Sequence, residues 1–439
     1  MNRTLKAIVL MLAALLLLPS VYANRLLTCG FEENDFLQTM WTAVSNVANV
    51  TFITASPTPH SGTYALKVAN VASTYVRRHL AANKTSGTLW VRGYFTFDTP
   101  STPDNNVVDV IVLMSSSGPV VGGLVGFNGS TQRLAIRNDL TTTVVNGTVN
   151  LTAGTWYRLE FRCLLSDTVG ELELRYYTGD STTALETLTI TAEDTLPTNI
   201  LRVYFGLRNA LFVNPGTAIY FDDVAINDEA GSFQTSWPGP GKIFLLKPAS
   251  DNTVAFTKAG STPAATNAAG ADDLPGLPND GVDFNQAITA SIVDRLNLTD
   301  LGAEVAADAD ILLLDLYSRH GSNGTTGTRT FNLAIWDEAG TKTDGPSVSA
   351  AINGWQIMTT DEHQVFDVGT RTKANIADFS AGYTNTTGTD QRNITALWGN
   401  LEWIESAGAA PVPPRRAPIV TQENHSTQAN HRAKKGEQK

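Results

Sequence analysis

The run Leu89-Trp90-Val91-Arg92-Gly93-Tyr94-Phe95-Thr96-Phe97 alternates with a period of two. Leu89, Val91, Phe95 and Phe97 fall on one side of an extended chain, and Trp90, Arg92, Tyr94 and Thr96 on the other. Successive side chains of a strand point to opposite faces, so the run predicts a strand with one apolar face against a core. The pattern recurs further along. In Trp156 to Cys163 the inward set is Tyr157, Leu159, Phe161 and Cys163, and in Glu171 to Tyr177 it is Leu172, Leu174 and Tyr176. Ser166 to Gly170 joins those two runs as a hairpin, and Asn128-Gly129 turns another between Leu124–Phe127 and Arg133–Ile136. Many short strands separated by turn residues predict an all-β chain of sandwiches.

The totals agree. A chain of 439 residues accommodates two or three domains. Only 17% of residues are charged, whereas Thr, Asn, Gly, Ala and Val are plentiful, a mix that suits strands and turns. The net charge of -11 argues against a nucleic-acid protein, which carries a basic face. Arg3 and Lys6 precede an apolar run from Ala7 to Leu18, followed by Val21 and Ala23 at small-residue positions. This reads as a signal peptide over residues 1–23, too short to span a membrane, and predicts a secreted, extracellular protein. No later stretch is apolar enough to cross a bilayer.

The expected organisation is a first β domain over 24–230, a Pro/Gly-rich linker over 231–241, a smaller antiparallel β domain over 242–407, and a disordered tail over 408–439. In the second domain, strands are expected at Lys242–Leu246, Ala309–Tyr317, Thr330–Trp336, Trp355–Thr359 and Leu397–Ile404. A polar loop is expected at Ser318–Thr328 and a helical turn at Ala374–Phe379. The two cysteines, Cys29 and Cys163, both lie in apolar strand-like runs. Export permits a disulfide between them, and two buried thiols suit the pattern equally.

Four segments of the first half, in order, resemble concanavalin-like and laminin-G-like jelly rolls. They are Gly30-Phe31-Glu32, His60 to Val68, Gly154 to Leu159, and Ile219-Tyr220-Phe221-Asp222-Asp223-Val224. The resemblance implies neighbouring first and last strands whose acidic residues can hold a structural calcium ion, here Glu32 and Asp222, with Asp223 as the second choice. It also implies carbohydrate or cell-surface glycan as partner. Trp90, Tyr94 and Tyr204 lie on alternate, outer faces of their strands and are the candidate stacking residues. Arg92, Arg202 and Arg208 are candidate hydrogen-bond donors. The junction from Ile226 to Pro248, with the Trp398 and Trp403 strand that follows, is similar to the joint between two β domains of tailed-phage virion proteins. That likeness implies a virion-surface or tail-associated role and association with other virion or surface proteins.

No catalytic constellation accompanies the fold. The Glu-x-Asp-x-x-Glu motif of laminarinase-type enzymes is absent, and Glu171 with Glu173 is the nearest carboxylate pair. Alginate-lyase relatives cluster Arg, Gln, His and Tyr on neighbouring strands; Gln132, Arg133 and Arg137 supply only a fragment. A serine nucleophile elbow, a phosphate loop and a Cys/His zinc cluster are missing too. The reading is a non-catalytic exported or virion-surface binding protein that needs no cofactor. The alternatives are a structural virion component and a glycan hydrolase or lyase.

Overall fold

The computed structural model describes residues 25–405 except 37–39, 100–106, 117–120, 209–216, 231–232, 274–279, 304, 323–329, 350–353, 358–362 and 387–390. The signal-peptide and tail expectations lie outside the described residues, as do positions 323–328 of the loop expected after Ser318. Among the described residues no helix is long and apolar enough to cross a membrane.

Among the described residues the first half carries fifteen strands. They are β1 (Arg25–Cys29), β2 (Ala43–Ser45), β3 (Val50–Ile53), β4 (Ala65–Ala69) and β5 (Thr74–Lys84). Then come β6 (Gly87–Phe97), β7 (Val107–Met114), β8 (Val121–Asn128), β9 (Arg133–Asn138) and β10 (Thr143–Asn146). The last five are β11 (Tyr157–Leu165), β12 (Gly170–Thr178), β13 (Glu186–Glu193), β14 (Ile200–Leu207) and β15 (Ala218–Asp228). One antiparallel sheet runs β13-β12-β11-β6-β15-β4-β3, with β1 also on β15; the other runs β10-β9-β8-β7-β14-β5-β2. The chain crosses repeatedly between the two sheets, as in a jelly roll.

Between the sheets lies the core that the period-two pattern specified. Leu89, Val91, Phe95 and Phe97 all point into it, as do Tyr157, Leu159, Phe161, Cys163, Leu172, Leu174 and Tyr176. Phe97 and Phe127 meet across it with ring centroids 4.4 Å apart.

The second half holds β16 (Lys242–Leu246), β17 (Pro248–Thr253), β18 (Thr257–Ala259), β19 (Phe284–Ala287), β20 (Val293–Leu298) and β21 (Asp310–Ser322). It continues with β22 (Thr330–Trp336), β23 (Lys342–Ser349), β24 (Gly354–Ile357) and β25 (Gln364–Thr372). A one-turn helix, α1 (Lys373–Ile376), precedes β26 (Ser380–Asn385) and β27 (Arg392–Ile404). The sheet β18-β19-β27-β21-β24, with β16 on β27 and β25 on β21, packs on the sheet β17-β20-β26-β22-β23. The molecule is therefore all-β, two sandwiches built from four antiparallel sheets.

Three expectations change. Ser318 to Ser322 is not loop, because the alternation persists: Ser318, His320 and Ser322 are all buried, and β21 runs to Ser322. His320 packs edge-on against Phe331, ring centroids 4.7 Å apart. Secondly, the strand expected at Leu397–Ile404 begins earlier, at Arg392, and is buried along both faces. Leu397, Leu401 and Trp403 enter the second core, while Ala396 and Trp398 join the first. Thirdly, the Pro/Gly segment is a strap and not a free spacer. Asn227 donates to the Ser236 carbonyl at 2.8 Å, and the Arg175 guanidinium lies 4.2 Å from the Trp237 ring.

Candidate functional site

The strap and the second sandwich settle the fate of three candidate ligand residues. Trp90, Arg92 and Tyr94 face away from the first core, as expected, but that face is covered. Trp90 is 9% exposed, and Arg92 and Tyr94 are fully buried. Arg92 and Arg25 both pair with Glu402 on β27, and all three side chains are shielded from solvent. Burial works to raise the Glu402 pKa, but the two guanidinium groups outweigh it and hold the carboxyl below its ordinary value. Tyr94 stacks on His60 with centroids 3.6 Å apart and donates to Asp180 at 2.5 Å. Its hydroxyl also accepts from the Gly241 N–H at 3.4 Å. These residues join the two halves and are not open to a ligand. The period-two pattern names the outer face correctly but cannot say what lies on it.

Glu32, Asp222 and Asp223 do converge, all on the loop before β4. Glu32 accepts the backbone N–H of Thr63 and Tyr64 at 2.9–3.0 Å. Asp222 accepts the His60 N–H at 2.8 Å, and Asp223 accepts from the Ser61 hydroxyl and the Ile243 N–H, both at 2.8 Å. His60 Nδ1 lies 2.6 Å from Asp223, and Nε2 lies 3.4 Å from Asp180. Burial pushes Glu32 up to about 8 and raises Asp222 well above its ordinary value. The donor type suits calcium, which takes carboxylate oxygens. In the structure these oxygens accept from N–H and O–H donors. Among the described residues no group of three or more His, Cys, Asp or Glu is set to hold a metal.

The two cysteines are free and buried. The disulfide expectation is corrected by topology. Cys29 pairs with Val224 on β15, whereas Cys163 pairs with Leu89 on β6. Strands β15 and β6 lie between them, and three strand spacings make roughly 14 Å, twice what a disulfide bridges. The hydrolase candidates Glu171 and Glu173 share a face, but Arg162 binds both, at 3.0 and 3.2 Å.

Tyr204 lies elsewhere, on the outer face of the sheet β10-β9-β8-β7-β14-β5-β2. Cross-strand register places one row of five side chains there. Arg77 on β5 is opposite Tyr204 on β14, which is opposite Val112 on β7. Val112 is opposite Leu124 on β8, and Leu124 opposite Arg137 on β9. The row has an aromatic and aliphatic floor with an arginine at each end. Tyr204, Val112, Leu124 and Met114 form a small apolar cluster of their own. Tyr75 stands edge-to-face on Tyr204, centroids 4.8 Å apart, and the Arg77 guanidinium lies 5.8 Å from the same ring. Tyr204, at 3% exposure, is covered and supports this face from beneath, whereas Tyr75, Arg77, His79 and Arg202 are half-buried and form its accessible part. Gly206, opposite Tyr75, has φ +128°, and a Cβ there would sit 2.6 Å from the Thr74 carbonyl. Glycine is required for β14 to lie this close to β5.

His79 is opposite Arg202 in the adjoining row. Burial lowers its pKa, and Arg77 and Arg202 lower it further. Arg208 and Arg137 flank Asp109, at 3.5 and 3.9 Å. Arg77 Nε, His79 Nε2 and Arg202 Nε are buried atoms without a hydrogen-bond partner among the described residues. Sequence reading singled out Tyr204, Arg202, Arg208 and Arg137 but missed Tyr75, Arg77 and His79. The alternation of Tyr75, Arg77 and His79 in Thr74–Leu80 was the available signal. Only the strand order places them on one face with β9, four strands away, whose sequence neighbours hold no histidine.

No protein-family model and no curated protein matches the chain. Solved structures similar to it include the cellulose induced protein Cip1, at 17% identity, covering 47% of this chain and 99% of that one with a TM-score of 0.35. A second is the catalytic domain of a glycoside hydrolase family 131 protein from Coprinopsis cinerea, at 15% identity, 49% and 98% coverage and a TM-score of 0.30. A third is lectin II from Ulex europaeus, at 13% identity, 42% and 94% coverage and a TM-score of 0.28. Likeness at this level does not decide a function.

Proposed function

We propose that the chain is a non-catalytic glycan-binding protein whose binding surface is the outer face of the β10-to-β2 sheet. The observation that carries this reading is the row Arg77-Tyr204-Val112-Leu124-Arg137, spanning five strands with Tyr75, His79 and Arg202 beside it. Sugar rings present apolar C–H faces and peripheral hydroxyls. A site that takes them needs an apolar or aromatic floor and polar groups at the edges. A saccharide chain lying across the strands meets both. The exported or virion-surface setting belongs to the same proposal, because a glycan-binding face acts on exterior surfaces.

Affinity electrophoresis of the full chain through gels carrying different polysaccharides tests the reading. Retardation by at least one polymer is expected, with Tyr75→Ala and Tyr204→Phe as comparison variants. Tyr75→Ala weakens binding at least tenfold, while Tyr204→Phe keeps the floor and binds nearly as well. Absence of retardation in every gel rejects the reading.

A second reading, favoured by His79, has the same face cleave its ligand by elimination. A histidine held neutral near pH 7, with an unpartnered ring nitrogen, is fit to accept a ring proton. Incubation with each retained polymer would then release unsaturated, ultraviolet-absorbing ends, and His79→Asn would stop it. If no such ends appear, the protein binds without turnover.

A structural calcium ion at Glu32 and Asp222 is a separate proposal, supported by two carboxylates buried near each other. Chelator would then lower the melting midpoint, and an unchanged midpoint rejects the ion.

A further inference from the structure

We infer that the ligand of this face is an acidic polysaccharide whose carboxylates are read by arginine. The inference rests on the glycan reading above and adds the chemical class of the sugar. The chain as a whole carries a charge of -11, so an arginine-rich face runs against its average. Among the described residues, Arg77, Arg137, Arg202 and Arg208 stand on this face, with Asp139 paired to Arg137 and Asp109 between Arg137 and Arg208. The arginines also sit in order. Arg77 and Arg137 close the two ends of the apolar row, four strand spacings or roughly 19 Å apart. A neutral glycan gains little from charge at that spacing. A polymer with repeated carboxylates places one at each end while its rings pass over the half-buried Tyr75, which stands on Tyr204.

The guanidinium groups point to the same ligand. Arg77 and Arg202 are half-buried, and Arg202 uses one Nη on the Ser116 carbonyl at 2.6 Å. A guanidinium takes a carboxylate in two parallel hydrogen bonds, which gives the interaction direction as well as charge. His79, beside Arg202, adds a ring nitrogen able to bond a hydroxyl without competing for the anion. Sulfated chains carry charge as well, and a guanidinium also takes tetrahedral oxyanions in two hydrogen bonds, so a sulfated polymer is the competing ligand.

The test uses the full chain and four probes in affinity electrophoresis and calorimetry. They are a polyuronate, the same polymer with its carboxyls reduced to alcohols, dextran sulfate, and a neutral xylan. The polyuronate is expected to bind at least tenfold more tightly than its reduced form, and to weaken as salt screens the contacts. Arg137→Gln, at a half-exposed position, and Arg77→Gln are each expected to lower that affinity about tenfold. Melting curves that match the parent show that both variants fold. Equal binding of polyuronate and its reduced form overturns the inference and leaves the glycan reading standing. Dextran sulfate bound as tightly as polyuronate overturns the carboxylate assignment. Unchanged affinity in both arginine variants overturns the site. No binding to any of the four polymers or to other glycans overturns both readings.

Discussion

Glu402 is the most consequential single residue of the joint. Its carboxylate is shared by Arg25 and Arg92, and no member of the trio reaches water. Removing one partner of a buried ion cluster leaves an uncompensated charge, which costs about 3–5 kcal/mol. Glu402→Gln is therefore expected to lose that much in urea unfolding, with two arginines stranded. Replacing all three by apolar residues of similar volume is expected to restore most of it; a triple variant as unstable as the single one would refute this account. The cysteines supply a second residue-scale prediction. Burial raises the Cys29 thiol well above its ordinary value and pushes Cys163 up to about 12. Both should resist thiol reagents in the native protein, react fully after denaturation, and leave the melting midpoint indifferent to reductant.

The loop before β4 and the strand β27 are the elements that tie the halves together, and pH reads the first of them. Glu32 stands at about 8, and Glu33, buried against Asn400, stands at about 7, both raised by burial. An acid raised on folding takes up a proton as it folds, so its contribution is greatest at low pH and declines as pH climbs through the folded value. His60 changes stability in the same direction. Burial opposes its charge, yet Asp180 and Asp223 outweigh burial and raise its pKa. Its contribution is full below the ordinary histidine value and fades above the raised one. In the other direction, Asp180 is held far below the carboxylate range despite its burial, so acid eventually breaks the contact with His60. The melting midpoint should peak at about pH 4–5 and fall toward pH 9, with Glu33→Gln removing part of the alkaline slope. A midpoint that rises from pH 6 to 9 contradicts the assignment. For β27, Trp398 stacks on Tyr317 at 5.5 Å within the first core, so Trp398→Ala should cost about 3–5 kcal/mol.

At the scale of the molecule, the two sandwiches share buried surface and do not hang on a tether. Tyr317, Ala396 and Trp398 complete the first core, and Asn400 donates to the Thr28 carbonyl and to Glu33 at 3.0 and 2.9 Å. Calorimetry of the full chain is expected to show one cooperative transition. Residues 25–230 alone would expose Trp90, Arg92 and Tyr94 and should aggregate or melt far lower. Two separate transitions, with residues 25–230 as stable alone as within the whole, would contradict a shared core.

Alternation of apolar and polar residues determined the all-β class, the inward faces of β6, β11 and β12, and the hairpins at Ser166–Gly170 and Asn128-Gly129. Those are local matters, because side-chain direction along a strand follows from the backbone. Strands such as β20 escaped because Asp294 occupies a buried position, where Asn267 and the N–H groups of Ala255 and Phe256 satisfy it. What an outward face meets is a different question. Arg92 and Tyr204 alternate alike, yet one is sealed against Glu402 of the second sandwich and the other underlies the arginine-rimmed row. Strand order decides that, by bringing Arg77 and Arg137, sixty residues apart, into a single line across five strands.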